Sequence, residues 1–196
     1  MYYLLLLVLV AFVSADSCPE VTPVNNFNFD SFARGIWYEV ARYPNPSERD
    51  GECGTAEYTR KGDVVTVKNS YVKRLTHKAH TIEGTARPAV NGSKSGVVIQ
   101  SLPYGVNGAL TDNVMYILAI EYDQYAICYY CNDKQKIKHG LEEYAWILSR
   151  EKILSAHAEA DVNKFFKKSN VVDADKFLWP SFTDEACRVD KSVKTQ

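Results

Sequence analysis

Residues 35–44 read GIWYEVARYP, with a glycine two positions before a tryptophan and a proline at the end. Aromatic and β-branched residues bounded by glycine and proline predict a β-strand. Seven more runs of this kind follow, separated by turn residues such as Lys61-Gly62-Asp63. They are CGTAEYT from Cys53, DVVTVKNSYV from Asp63, AHTIEGTAR from Ala79, SGVVIQSLPY from Ser95, NVMYILAIEY from Asn113, QYAICYYC from Gln124 and EYAWILSR from Glu143.

The pattern changes after the eighth run, where ILSAHAEADVNKFFKKS predicts one amphipathic helix. Ser155 suits its N-cap, and one face of the helix carries Ala158, Val162, Phe165 and Phe166. Eight antiparallel strands and a late helix favour an all-β, up-and-down barrel with the helix packed outside. Closing the sheet removes both edges and leaves room for one small ligand. A filled barrel or a β-sandwich without a cavity is the alternative.

The first 15 residues, MYYLLLLVLVAFVSA, are an uncharged apolar run that ends in small residues. They predict a signal peptide, too short to span a bilayer, so residues 16–196 would form one secreted, extracellular domain. The formal net charge of −1 gives no indication of nucleic-acid or anionic-membrane binding. Asn91 begins the sequon Asn91-Gly92-Ser93 in a turn-rich setting and is a glycosylation candidate.

Five cysteines in a secreted chain predict up to two disulfides and one remaining thiol. Zinc is the competing interpretation, but Cys128-Tyr-Tyr-Cys131 is a single CxxC motif within a strand-like run, so no metal site is expected. Cys128 and Cys131 are three residues apart and would point to opposite faces of the sheet. If Tyr130 faces inward, Cys131 faces outward and the Cys128 side chain faces the interior.

Strand alternation in the third run indicates a cavity. Alternate residues form one face that is apolar at one end and polar-aromatic at the other, namely Val65, Val67, Asn69 and Tyr71. The intervening residues Thr66, Lys68 and Ser70 suit solvent. A filled core would more naturally be apolar throughout, whereas a ligand cavity combines an apolar floor with a few orienting polar groups.

GIWYEVARYP resembles the Gly-x-Trp signature of the first lipocalin strand, and WILSR at 146–150 resembles the matching signature after the last strand. The resemblance implies that Gly35, Trp37 and Arg150 form the closed barrel floor, with the guanidinium packed across the indole. The family's middle signature is replaced here by Ile120-Glu121-Tyr122.

Within lipocalins, the chain is most similar to the insect bilin-binding proteins and insecticyanins. The similarity lies in CPEVTPVNNFNF, the cysteine spacing, AWILSR, residues 175–180 and SFTDEAC. It implies the disulfides Cys18–Cys131 and Cys53–Cys187, and a secreted carrier in a haemolymph-like fluid that binds a bilin such as biliverdin for pigment transport or coloration. Parity and resemblance together give the inward ligand-binding candidates Glu39, Tyr58, Asn69, Tyr71, Ile82, Gln100, Leu102, Tyr104, Asn113, Met115, Cys128, Tyr130, Glu142 and Tyr144. The small inward residues Ala56, Ala86 and Ala126 would make room for the ligand.

Among these residues, Asn69 and Tyr71 are predicted to hydrogen-bond the pyrrole or lactam groups, while tyrosines stack on the conjugated ligand. Cys128 is either a small buried hydrophobe or a thiol that reacts with the chromophore. The basic segment of Lys73, Arg74, His77 and Lys78 either meets propionates at the cavity mouth or is a solvated turn.

Other functions compete with bilin binding as interpretations of this sequence. The barrel would equally hold a carotenoid, a pheromone or a lipid. The chain could also form a homo-oligomer, and the sequence does not decide this. An enzyme is not expected, because the serine in Gly92-Ser93-Lys94-Ser95-Gly96 does not fit GxSxG and HExxH is absent.

Overall fold

The computed structural model describes residues 17–133 and 141–190 of the chain, so the predicted signal peptide lies outside the described residues. Eight strands follow one another in an antiparallel order, and the first pairs with both the second and the last, which closes a barrel. The strands are β1 Gly35–Arg42, β2 Gly51–Lys61, β3 Val64–Lys73, β4 Ala79–Pro88, β5 Val97–Leu102, β6 Thr111–Glu121, β7 Tyr125–Asn132 and β8 Glu142–Ser149. The predicted fold class is confirmed.

Two α-helices accompany the barrel in the described part of the chain. The predicted helix is α2, Ala156–Phe166, and the Ser155 hydroxyl caps it by accepting a hydrogen bond from the Ala158 N–H at 3.1 Å. The sequence did not indicate α1, a single turn over Phe29–Phe32. Its Phe32 side chain is fully buried and plugs the barrel beneath Trp37. Within the described residues, no helix has the length and apolarity needed to cross a membrane.

Apolar side chains form one cluster inside the barrel and another outside it. The inner cluster includes Phe32, Trp37 and Val67 at the closed end. The outer cluster joins the barrel wall to α2, where Ile147 packs in the same group as Val162. Alternate residues of the strands therefore contribute to an apolar layer inside the barrel and to another one outside it. The inner layer fills the closed end and leaves the opposite end of the barrel open.

A β-bulge changes the direction of β1 near the open end. Glu39 pairs with Leu148 and Ala41 with Ile147, so Val40 is an extra residue without a partner on β8. Beyond the bulge, Arg42 pairs with Trp146, whose side chain faces the interior. Strict alternation from Trp37 and Glu39 would have pointed Arg42 outward, yet the structure buries it.

Candidate ligand-binding site

The barrel encloses a cavity of about 530 Å³ that opens at the end opposite to α1. Twelve of the fourteen predicted ligand-binding side chains line it. They are Glu39, Tyr58, Asn69, Gln100, Leu102, Tyr104, Asn113, Met115, Cys128, Tyr130, Glu142 and Tyr144. The volume lies within the range of small-molecule sites, about 300–1,000 Å³.

Two predicted residues do not line the cavity. The Tyr71 hydroxyl donates to the Ser47 carbonyl at 2.7 Å, and its ring lies 5.0 Å from that of His80, at the rim. This hydroxyl already donates to an acceptor within the chain, and the role of Tyr71 as a donor to a ligand stays a prediction. Ile82 packs against the inner apolar cluster instead of facing the open space.

Sequence reasoning missed several residues of the wall. Asn45, Ser47 and Glu48 reach the cavity from the β1–β2 connection, where no periodicity could indicate them. Trp146 and Leu148 also line it, and their parity with Glu142 and Tyr144 on β8 could have identified them. The other missed wall positions are Thr55, Ser70, Thr111, Asp112 and Asn132, whereas the predicted Ala56 does line the cavity. The other two predicted alanines, Ala86 and Ala126, belong to the inner apolar cluster.

A buried ionic network stands behind one side of the mouth. The Arg42 guanidinium donates to Glu39 Oε1 at 2.9 Å and to the carbonyls of Glu48 and Gly51 at 2.7 and 2.8 Å. Its Nε also lies 4.0 Å from Glu48 Oε2. Burial raises the pKa of Glu39 well above its ordinary value, and the Glu48 charge adds to this, while Arg42 opposes it. One arginine thus serves two carboxyl groups.

The inner polar groups include one buried acceptor that has no partner. Asn69 Oδ1 is buried without a hydrogen-bond partner in the described residues. Two neighbouring amides use their N–H groups within the wall, because Gln100 Nε2 donates to the Tyr58 hydroxyl at 2.7 Å and Asn113 Nδ2 donates to the Thr111 carbonyl at 3.0 Å. A ligand with several N–H donors would satisfy such a wall.

Cys128 is the unpaired cysteine, and it faces the cavity as parity predicted. Its side chain is fully buried, and this burial raises the pKa of the thiol far above the ordinary value. A neutral thiol is a poor nucleophile, so the environment favours a packing role over reaction with a ligand.

Aromatic rings cover the wall formed by β7 and β8. Tyr130 and Tyr144 are directly opposite in the register, and their rings stack with 5.6 Å between centroids and 10° between planes. The Trp146 ring lies 6.1 Å from that of Tyr144. Flat conjugated molecules pack well against such surfaces.

The closed end has the arrangement that the sequence signatures imply. The Arg150 guanidinium lies 3.5 Å from the centre of the Trp37 ring and donates to the Ile36 and Tyr122 carbonyls at 3.0 and 2.9 Å. Gly35 has a φ of +61°, a conformation that favours glycine. The altered middle signature, Ile120-Glu121-Tyr122, also contributes to this closed end. The Tyr122 carbonyl accepts from Arg150, and the Tyr122 hydroxyl accepts a hydrogen bond from the Asn28 N–H at 2.7 Å.

The structure contains both disulfides that the resemblance implies. Cys18–Cys131 ties the amino-terminal segment to β7, with 5.8 Å between Cα atoms. Cys53–Cys187 ties the carboxy-terminal segment to β2, with 5.5 Å between Cα atoms. Both terminal segments are therefore held against the outside of the barrel.

Three further surface features bear on the sequence predictions. Lys73, Arg74 and Lys78 are exposed in and beside the β3–β4 turn, at the open end, whereas His77 turns towards Glu185. Asn91 is exposed in the β4–β5 turn. In the described ranges, the one cluster of three potential metal ligands joins His157 to Glu121 and Asp161 at 3.6 Å each, as an exposed ion-pair group away from the cavity.

Comparison with known proteins gives consistent matches over most of the chain. The model of the Lipocalin / cytosolic fatty-acid binding protein family matches residues 34–184. The chain is 41% identical over 194 residues to the Bilin-binding protein of Pieris brassicae, covering 96% of this chain and 99% of that protein. It is 33% identical over 172 residues to Insecticyanin-A of Manduca sexta, covering 87% and 89%. The solved structure of Manduca sexta insecticyanin superposes with a TM-score of 0.78 at 32% identity, covering 88% and 90%.

Proposed function

This chain belongs to the lipocalin family, and we propose that it is a secreted carrier that binds a linear tetrapyrrole of the biliverdin type in its barrel, without a covalent bond. The role would be pigment transport or coloration in an extracellular fluid. The relatives named bilin-binding protein and insecticyanin support this ligand class. The two disulfides suit an oxidising compartment.

The observation that carries the proposal is the unpartnered acceptor of Asn69 in the wall. A biliverdin-type molecule presents pyrrole and lactam N–H groups along one edge, and Asn69 Oδ1 is a buried acceptor in need of such a donor. A hydrogen bond there removes the cost of an unsatisfied buried group. A carotenoid has no N–H donor and would leave that cost in place, so polarity favours the tetrapyrrole over carotenoid or lipid cargo.

The two ends of the cavity suit the two kinds of surface on a bilin. The conjugated rings would lie against the stacked pair of Tyr130 and Tyr144. The propionates would stay at the wet rim, where Arg74 and Lys78 are exposed near the mouth. No covalent step is included, because burial keeps the Cys128 thiol neutral.

The test is reconstitution of the cargo-free protein with biliverdin, followed by visible absorption and circular dichroism. A bound ligand should give a 1:1 titration with an induced dichroic signal in the red band. Asn69→Leu should weaken binding by about tenfold or more, since one hydrogen bond to a buried group is worth about 1–3 kcal/mol. Asn69→Asp keeps an acceptor and should bind more tightly than the leucine variant.

Thr66→Val is the matched control, because Thr66 lies on the same strand and its hydroxyl bonds the Thr59 carbonyl outside the cavity. Its affinity should equal that of the unchanged protein. Absence of any spectral change with biliverdin would refute the proposed function. Equal affinity of the leucine variant and the unchanged protein would refute the role of Asn69.

The processing predictions have their own measurement, the mass of the secreted protein. Cleavage after Ala15 should give an amino terminus at Asp16. Glycosylation at Asn91 should add a mass that enzymatic removal of N-glycans takes away, and Asn91→Gln should abolish it. A secreted chain that still carries residues 1–15 would contradict the signal peptide.

A further inference from the structure

Two Asn-Gly pairs lie in surface turns of the barrel. Asn91-Gly92 is in the β4–β5 turn, and Asn107-Gly108 is in the β5–β6 connection. Both asparagines are exposed, and a Cβ placed on either glycine would meet no atom within 4 Å. Asparagine is chemically labile, above all before glycine, because no side chain obstructs attack of the next backbone nitrogen on the asparagine amide. Both pairs are therefore susceptible by sequence, and their local hydrogen bonds distinguish them.

The β4–β5 turn leaves the N–H of Gly92 free. The Ser93 N–H donates to the Val90 carbonyl at 3.0 Å, which closes a β-turn around Asn91 and Gly92. Gly92 is the third residue of this turn, with a φ of +73° that favours glycine. Its own N–H has no acceptor among the described residues. The nitrogen that would attack the Asn91 side chain is thus not held by a hydrogen bond.

The β5–β6 connection holds the corresponding nitrogen. The Gly108 N–H donates to the Gly105 carbonyl at 3.1 Å, and Asn107 lies inside this turn with a φ of +57°. The hydrogen bond must open before the Gly108 nitrogen can turn towards the Asn107 side chain. The same dipeptide is therefore protected at this position by the fold.

We propose that Asn91, in chains that carry no glycan there, is a site of spontaneous deamidation in the native protein. The Gly92 nitrogen would attack Asn91 Cγ and form the C–N bond of a succinimide ring. The side-chain nitrogen leaves as ammonia and takes the proton of the Gly92 N–H. Water then opens the ring at either carbonyl and gives aspartate or isoaspartate. The net reaction consumes one water and releases one ammonia, with no change of oxidation state.

Deamidation and glycosylation compete for one atom, because Asn91 also begins the sequon Asn91-Gly92-Ser93. A glycan on the side-chain nitrogen makes that nitrogen a bulkier leaving group and hinders ring closure. A deamidated chain has no amide left to glycosylate, and it carries one more negative charge than the formal −1 of the unchanged chain. Neither modification depends on the cargo of the barrel.

Two substitutions in the turn isolate the reaction. Ser93→Ala removes the sequon and keeps Asn-Gly, so every chain has a free asparagine amide at position 91. Adding Gly92→Ala to this variant places a methyl group beside the attacking nitrogen. The space around Gly92 is open, so the variant should fold, although the positive φ makes it less stable. Circular dichroism confirms the fold of both proteins before use.

The measurement is the rate at each asparagine in full-length secreted protein. The variants are incubated at pH 7 in water enriched in heavy oxygen, digested under acidic conditions and mapped by mass spectrometry against a sample taken at time zero. In native Ser93→Ala, Asn91 should react at least about fivefold faster than Asn107, because one hydrogen bond protects the latter. In urea the two rates should become equal. Isoaspartate among the products identifies the ring, since direct hydrolysis gives only aspartate.

Three outcomes would overturn the proposal. They are equal rates at Asn91 and Asn107 in native Ser93→Ala, absence of heavy oxygen at both asparagines, and an undiminished rate at Asn91 after Gly92→Ala is added. Because Ser93→Ala cannot be glycosylated at Asn91, the result does not depend on the glycan of the unchanged chain. The biliverdin titration tests the cargo separately, so deamidation and bilin binding can fail independently.

Discussion

Arg150 offers a direct test of how the barrel is closed. Its guanidinium stacks on Trp37 and donates to the Tyr122, Ser31 and Phe32 carbonyls at 2.9, 3.3 and 3.4 Å in partly buried positions. We expect Arg150→Ala to open this floor and lower the free energy of unfolding. The cavity mouth is at the other end of the barrel, so ligand chemistry should be little affected in the fraction that stays folded.

The magnitude follows from the contacts that are lost. The cation–π contact is worth about 1 kcal/mol at a partly buried site. The Phe32 carbonyl stays satisfied, because Trp37 Nε1 also donates to it at 2.9 Å, whereas the Tyr122 and Ser31 carbonyls each lose a charged donor. These two losses cost about 1 kcal/mol apiece. The expected destabilisation is therefore about 3 kcal/mol, or roughly 10 °C in Tm for a domain of this size.

The assay is urea unfolding followed by tryptophan fluorescence, with both disulfides intact. Arg150→Lys is the informative control, because lysine keeps the charge but cannot both stack as a plane and reach several carbonyls. It should recover less than half of the lost stability. A loss below about 0.5 kcal/mol for Arg150→Ala, or full stability of Arg150→Lys, would refute this account of the floor.

Three further outcomes are expected elsewhere in the molecule. The Cys128 thiol should resist Ellman's reagent in the native protein and react fully in urea, because burial raises its pKa and blocks access; rapid native labelling would contradict this. Burial raises the pKa of Glu39, so the native state holds this proton more tightly than the unfolded chain, and stability should fall as pH rises above the ordinary value of 4.5. Glu39→Gln should remove this part of the pH dependence of the free energy of unfolding. If the difference in stability between the variant and the unchanged protein stays constant from pH 4.5 to 8, Glu39 does not cause the dependence. Replacing Cys53 and Cys187 together by alanine should lower the free energy of unfolding in urea by about 4 kcal/mol, because their disulfide closes a loop of 134 residues. A decrease below about 1 kcal/mol would contradict a stabilising role of this disulfide.

Local alternation gave correct predictions where a strand runs without interruption. β7 pairs continuously with β8 from Tyr125 to Asn132, so the opposite directions of Cys128 and Cys131 could be inferred from their spacing alone. The same reasoning placed Asn69 on the cavity wall. Alternation also gave the inward direction of Ile82, but it could not tell that this side chain packs against the inner apolar cluster instead of lining the open space.

The sequence alone determined the number of strands and the position of the main helix, because both depend on a residue's immediate neighbours and on a period of two or 3.6. The closed barrel and most of the cavity wall were predicted from these patterns together with the resemblance to lipocalins. Tertiary structure decided the features that depend on distant partners. The extra residue Val40 turns Arg42 inward only because β8 fixes the register on both sides of it. Glu48 reaches the cavity from a connection without periodicity, where Asn45 and Trp146 hold it. The charge balance of the cavity is set by these nonlocal contacts, since pairing and burial control electrostatics and neither can be read from local spacing.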